Sequence, residues 1–197
     1  MKSLCIYCGS ASGASPVYAQ AALALAKEMA ERKIELVYGG GNVGLMGIIA
    51  DEVLRLGGVA VGVIPKALLD KEVGHRGLTQ LHIVKDMHER KAMMAKLSDG
   101  FIAMPGGIGT LEELFEAYTW SQLGFHDKPI GLLNVCGFYD GLIDFLGHLV
   151  AQGFLREEHA SLMMHESEAK PLLDRFASFQ PTRDGKLLHR EISKIFP

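Results

Sequence analysis

Thr110, Glu112 and Glu113 follow directly on the glycine run Pro105-Gly106-Gly107-Ile108-Gly109, and a second cluster of chemically able residues, Asp86, Glu89, Arg90 and Lys91, stands upstream of it. Glycine has no Cβ, so backbone built from it can approach a ligand closely. A helix that starts there presents unpaired N–H groups and the positive end of its dipole to an anion. The chemistry predicted is a phosphate seat with a carboxylate beside it. A second run, Gly39-Gly40-Gly41-Asn42-Val43-Gly44, has the same form. Two such turns imply one nucleotide-sized anionic ligand.

Each residue also has a plainer reading. Thr110-x-x-Glu113 has the spacing of a capping box, in which the carboxylate only satisfies the N–H of Thr110. Against this, a carboxylate one turn from an anion seat would repel a phosphate unless it faces a positively charged part of the reaction. Asp86-x-x-Glu89 is a second capping box, and it places Arg90 on the face shared by Met87, Met94 and Leu97. An arginine on an apolar face requires an anionic partner, either a ligand or a glutamate, whereas Lys91 is expected in solvent.

Several other chemistries lack their residues. Gly39-x-Gly41-x-x-Gly44 matches a dinucleotide fingerprint, but it follows the second strand and no acid stands at the end of the next one, at Ile64-Pro65-Lys66. Neither turn ends in the Gly-Lys-Ser/Thr of a triphosphate loop, and no Gly-x-Ser-x-Gly elbow occurs. His88-Glu89 lacks the second histidine of a zinc helix. Neither a metal nor a cofactor is expected.

Apolar runs near residues 3–8, 34–38, 59–64, 80–84, 100–104, 129–134 and 161–164 must position these groups. They alternate with helical periodicity over 16–32, 44–56, 87–98, 110–123, 139–152 and 166–177. The pattern predicts an α/β fold: a doubly wound, Rossmann-like parallel sheet of about seven strands in three layers, with the ligand at the carboxyl ends of the strands. Residues 65–79 form the longest irregular stretch, of a kind that often covers a ligand. A single nucleotide-binding domain is expected over 1–180, with a polar tail over 181–197.

A net charge of −3 over 197 residues disfavours a nucleic-acid polymer as partner. With no apolar run of about 18 residues a membrane span is not expected, and the chain reads as cytoplasmic. Cys5 and Cys8 lie three apart on a strand and so point to opposite faces. Trp120, Phe115, Tyr118 and Leu123 offer more apolar surface than one sheet face needs, which suggests self-association.

Pro105-Gly106-Gly107-Ile108-Gly109-Thr110-Leu111-Glu112-Glu113 and Met87-His88-Glu89-Arg90-Lys91 resemble the two signatures of the Lonely Guy family, the cytokinin riboside 5′-monophosphate phosphoribohydrolases. The resemblance extends through Gly39–Gly47 and Tyr7-Cys8-Gly9-Ser10, and covers most of residues 1–150. It implies a Rossmann-like homodimer that hydrolyses the N-glycosidic bond of adenine-type nucleoside 5′-monophosphates, releasing free base and ribose 5-phosphate without a cofactor. By position it implies Glu113 and Arg90 as the catalytic pair. It further implies substrate contacts at Lys91, Gly106, Gly107, Ile108, Gly109, Thr110, Leu111, Glu112 and Thr119, at Glu72 in the irregular stretch, and at Ser10, Gly40, Gly41 and Met46. The family's frequent label of lysine decarboxylase has no support, since no lysine stands in an evident Schiff-base site. The alternative is a non-catalytic carrier of a nucleotide or of the molybdenum cofactor, built on the same glycine turns.

Overall fold

Seven short, mainly apolar runs form the strands β1 (Ser3–Tyr7), β2 (Glu35–Tyr38), β3 (Ala60–Pro65), β4 (Gln80–Val84), β5 (Phe101–Ala103), β6 (Ile130–Leu133) and β7 (Met163–Glu166). The structure, a computed structural model, describes residues 1–69 and 74–181. All pairings between the strands are parallel, in the order β4-β3-β2-β1-β5-β6-β7. Parallel neighbours need long crossovers, and helices supply them: α1 (Pro16–Glu31), α2 (Gly44–Arg55), α3 (Lys66–Leu69), α4 (Met87–Leu97), α5 (Ile108–Gln122), α6 (Asp140–Ala151), α7 (Glu157–Ala160) and α8 (Ala169–Ser178).

Alternation along the strands divides the apolar residues between two faces. Leu4, Ile6, Leu36 and Tyr38 pack with α1, α2 and α8, while Cys5, Tyr7, Val37 and Phe101 pack with α4, α5 and α6. The result is the three-layered sandwich expected. Cys5 and Cys8 are buried free thiols on opposite faces, and Cys136 is exposed.

The sheet order reverses at β1, whose neighbours are β2 on one side and β5 on the other. In open parallel sheets such a reversal is where ligands bind, at the carboxyl ends of the strands, which here are those of β1 and β5. Three local expectations need correction. β7 and α8 begin two to three residues later than the apolar pattern suggested, at Met163 and Ala169. The stretch 65–79 is not wholly irregular, since Lys66–Leu69 form a helical turn and Gly74 bridges to Gly41. Finally, Arg90 and Met94 are buried as expected, but Met87 and Leu97 on the same helix are exposed.

Candidate active site

β5 is fully buried and runs into Met104-Pro105-Gly106, after which Gly107 caps α5. The helix opens two residues earlier than its periodicity suggested, so Gly109 and Thr110 belong to its first turn. Gly107 has no side chain with which to cap, so the first N–H groups of α5 point outward from an open helix start. A Cβ at Gly107 or Gly109 would meet nothing within 4 Å. Gly107, Ile108 and Gly109 are exposed, and this is the part of the turn that an anion can reach.

The neighbouring glycines are packed instead. A Cβ at Gly106 would lie 2.1 Å from Thr110 Oγ1 and 2.9 Å from Gly9 N. Gly9 N donates to Pro105 O at 3.1 Å, which ties the loop after β1 to the loop after β5. The second glycine turn is likewise closed. Leu45 N, at the start of α2, donates to Gly9 O at 3.0 Å, and a Cβ at Gly44 would fall within 2.5 Å of the Ser10–Ala11 backbone. Gly40 and Gly41 are buried: Gly40 O accepts from His75 N at 2.8 Å, and Gly41 bridges to Gly74. The start of α2 thus differs from that of α5, because at Gly44 and Leu45 it meets the protein's own backbone.

Glu113 does not close a capping box. With Gly107 as the cap, Thr110 sits in the first turn, buried under Gly106, and Glu113 reaches across to α4. Asp86 caps α4 by accepting from His88 N at 3.0 Å and Glu89 N at 2.9 Å, while Glu89 accepts from Lys85 N at 2.7 Å. This cap sets the orientation of the first turn, from which Arg90 projects inward. Arg90 Nη1 donates to Glu113 Oε1 at 2.7 Å and Arg90 Nε donates to Val63 O at 3.1 Å. Burial pushes the Glu113 carboxyl above its ordinary pKa, with Arg90 opposing that rise and Glu112 adding to it.

Lys91 is not in solvent, contrary to expectation. Its ammonium is buried, donates to Glu112 Oε1 and lies 3.1 Å from Glu116 Oε1. Burial alone would lower its pKa, but the two carboxylates outweigh this and raise it. Glu112 and Glu116 are four apart on α5, a spacing that puts both on one helix face; this was the sequence signal for their common partner. Met46 lies beside the guanidinium, its sulfur 3.5 Å from where a Gly39 Cβ would stand. Ser10 is exposed and Leu111 half-buried. Thr119 is exposed, about 14 Å along α5 from Thr110 at 1.5 Å rise per residue, so the fold of one chain does not bring it to the open turn. Glu72 lies outside the described residues.

A family model described as "Possible lysine decarboxylase" matches residues 46–176. The chain is 46% identical to cytokinin riboside 5′-monophosphate phosphoribohydrolase LOG5 of Arabidopsis thaliana, over 93% of this chain and 81% of that protein. It is 45% identical to LOG7 of the same plant, over 98% and 91%. The chain belongs to the Lonely Guy family of phosphoribohydrolases. Among solved structures, the molybdenum cofactor binding protein of Rippkaea orientalis matches with a TM-score of 0.67 at 21% identity, over 90% of this chain and 97% of that one, a likeness of fold alone.

The decarboxylase description of this Lonely Guy family model finds no chemistry in Lys91. A Schiff-base lysine must lose its proton, and Lys91 is held charged by Glu112 and Glu116.

Proposed function

We propose that the chain hydrolyses the N-glycosidic bond of adenine-type nucleoside 5′-monophosphates, AMP and N6-modified cytokinin riboside 5′-monophosphates, to free base and ribose 5-phosphate. The observation that carries this reading is the buried Glu113–Arg90 pair next to the open start of α5. A phosphate on the N–H groups of Ile108, Gly109 and Thr110 fixes the ribose end of the substrate. Cleavage passes through an oxocarbenium-like sugar, whose positive charge a carboxylate stabilises. Water adds its hydroxyl to C1′, the C1′–N9 bond breaks with its electron pair going to the base, and the remaining proton ends on the base. Glu113 stabilises the cation and orients the water. Arg90 holds Glu113 in place and favours its ionised form, and Lys91 fastens α4 to α5.

The enzyme acts as a cytoplasmic homodimer in this reading. Support comes from Leu123 and Phe125, which are 37% and 54% exposed at the end of α5, and from Thr119 on the same helix. If Thr119 touches ligand, it does so in the partner's site. Incubation with AMP and other nucleoside monophosphates, followed by chromatography, tests the reading. Adenine and ribose 5-phosphate are the expected products, whereas bound, intact AMP would overturn hydrolysis in favour of a carrier.

A further inference from the structure

Gly39 directly follows β2 at the carboxyl edge, and the place of its missing side chain is filled by another residue. A Cβ built there would stand 1.8 Å from Arg90 Nη2 and 3.0 Å from Arg90 Cζ. The first value is far inside van der Waals contact and the second is a tight one. The backbone at Gly39 does not explain the glycine, because its φ lies outside the left-handed region where glycine is favoured. Nor does Gly39 line an open surface, since it is buried.

The guanidinium cannot simply swing aside. It is planar, its Nε is bound to Val63 O at 3.1 Å and its Nη1 to Glu113 Oε1 at 2.7 Å, so any rotation that frees Nη2 from Gly39 breaks one of the two. We infer that Gly39 is a positioning residue, whose empty Cβ position forms the seat that holds the Arg90 guanidinium against Glu113. The first glycine of the Gly39-Gly40-Gly41 turn thus serves the carboxylate through Arg90 and does not touch substrate.

The inference rests on the proposed hydrolysis only in its kinetic readout. Gly39→Ala, Arg90→Ala and the double variant complete a cycle, assayed by adenine release from AMP and by thermal unfolding. Gly39→Ala should lower kcat by about tenfold or more, with KM for AMP changed less than about threefold. It should also shift the acid limb of the pH–rate profile upward, as Glu113 loses its cation. In the Arg90→Ala background, where the seat is empty, the same substitution should cost nothing further in kcat or Tm. An equal loss in both backgrounds, or a rise in KM alone, would overturn the assignment and return Gly39 to ligand contact. If Gly39→Ala fails to fold, a folded double variant supports the seat and an unfolded one refutes it. If no variant, nor the parent chain, releases adenine, the function is wrong and the thermal cycle still decides the inference.

Discussion

Arg90 Nη1 lies 2.7 Å from Glu113 Oε1, each side chain about 10% exposed, in a contact that joins the first turn of α4 to the second turn of α5. Two charges buried together compensate each other, and removal of either leaves the other unpaired in a poorly solvated place. Neutralising Glu113 and neutralising Arg90 are therefore different perturbations. The first removes the proposed catalytic charge, while the second leaves that charge but destabilises it.

Glu113→Gln keeps the size of the side chain and a hydrogen bond from Arg90 while removing the charge. Adenine release from AMP should fall by about 100-fold or more, with KM nearly unchanged and the protein still folded by circular dichroism. Turnover within a few-fold of the parent would remove Glu113 from the mechanism.

The pH dependence follows from burial. Desolvation raises the Glu113 pKa, so the ionised form, the active one in the proposed reaction, is lost as pH falls through a value above the ordinary one for a glutamate. Arg90 opposes the rise, so Arg90→Gln should move the acid limb of kcat/KM to still higher pH. A limb that stays in place when Arg90 is neutralised would show that another group controls it.

The glycines of the α5 turn separate stability from binding. Gly106→Ala puts a methyl 2.1 Å from Thr110 Oγ1 and should destabilise the fold by about 1–3 kcal/mol in denaturant titrations. Gly107→Ala meets nothing within 4 Å in an extended backbone, so its Tm should stay near that of the parent. In the proposed binding mode the added methyl stands where the phosphate approaches, and KM for AMP should rise by about tenfold.

Lys91→Ala frees Glu112 and Glu116 and unfastens α4 from α5. The expected result is a Tm lower by about 2–5 °C, with KM for AMP changed less than about threefold. A large rise in KM with no thermal effect would make Lys91 a ligand contact after all.

Leu123→Asp places a charge on the exposed apolar end of α5. Light scattering should report a dimer for the parent chain and a monomer for the variant, with adenine release reduced if Thr119 serves the partner's site. A monomeric parent would remove the dimer.

The seven strands and the six longer helices were legible in the chain, because strand and helix periodicity and the glycine punctuation are local properties, whereas the single turns α3 and α7 are too short to show a period. Arg90 was legible as a buried arginine in need of an anion for the same reason: one charge on an apolar helix face is visible within eleven residues. Which anion it meets was not, since Glu113 is 23 positions away and the contact exists only once α4 and α5 lie side by side. Glycine roles were hidden most completely. Gly39, Gly44 and Gly106 make room for a guanidinium, a loop backbone and a threonine, while Gly107 and Gly109 face open space. Nothing in the residue type separates the two kinds, because what occupies the absent Cβ comes from elsewhere in the chain, and packing alone decides it.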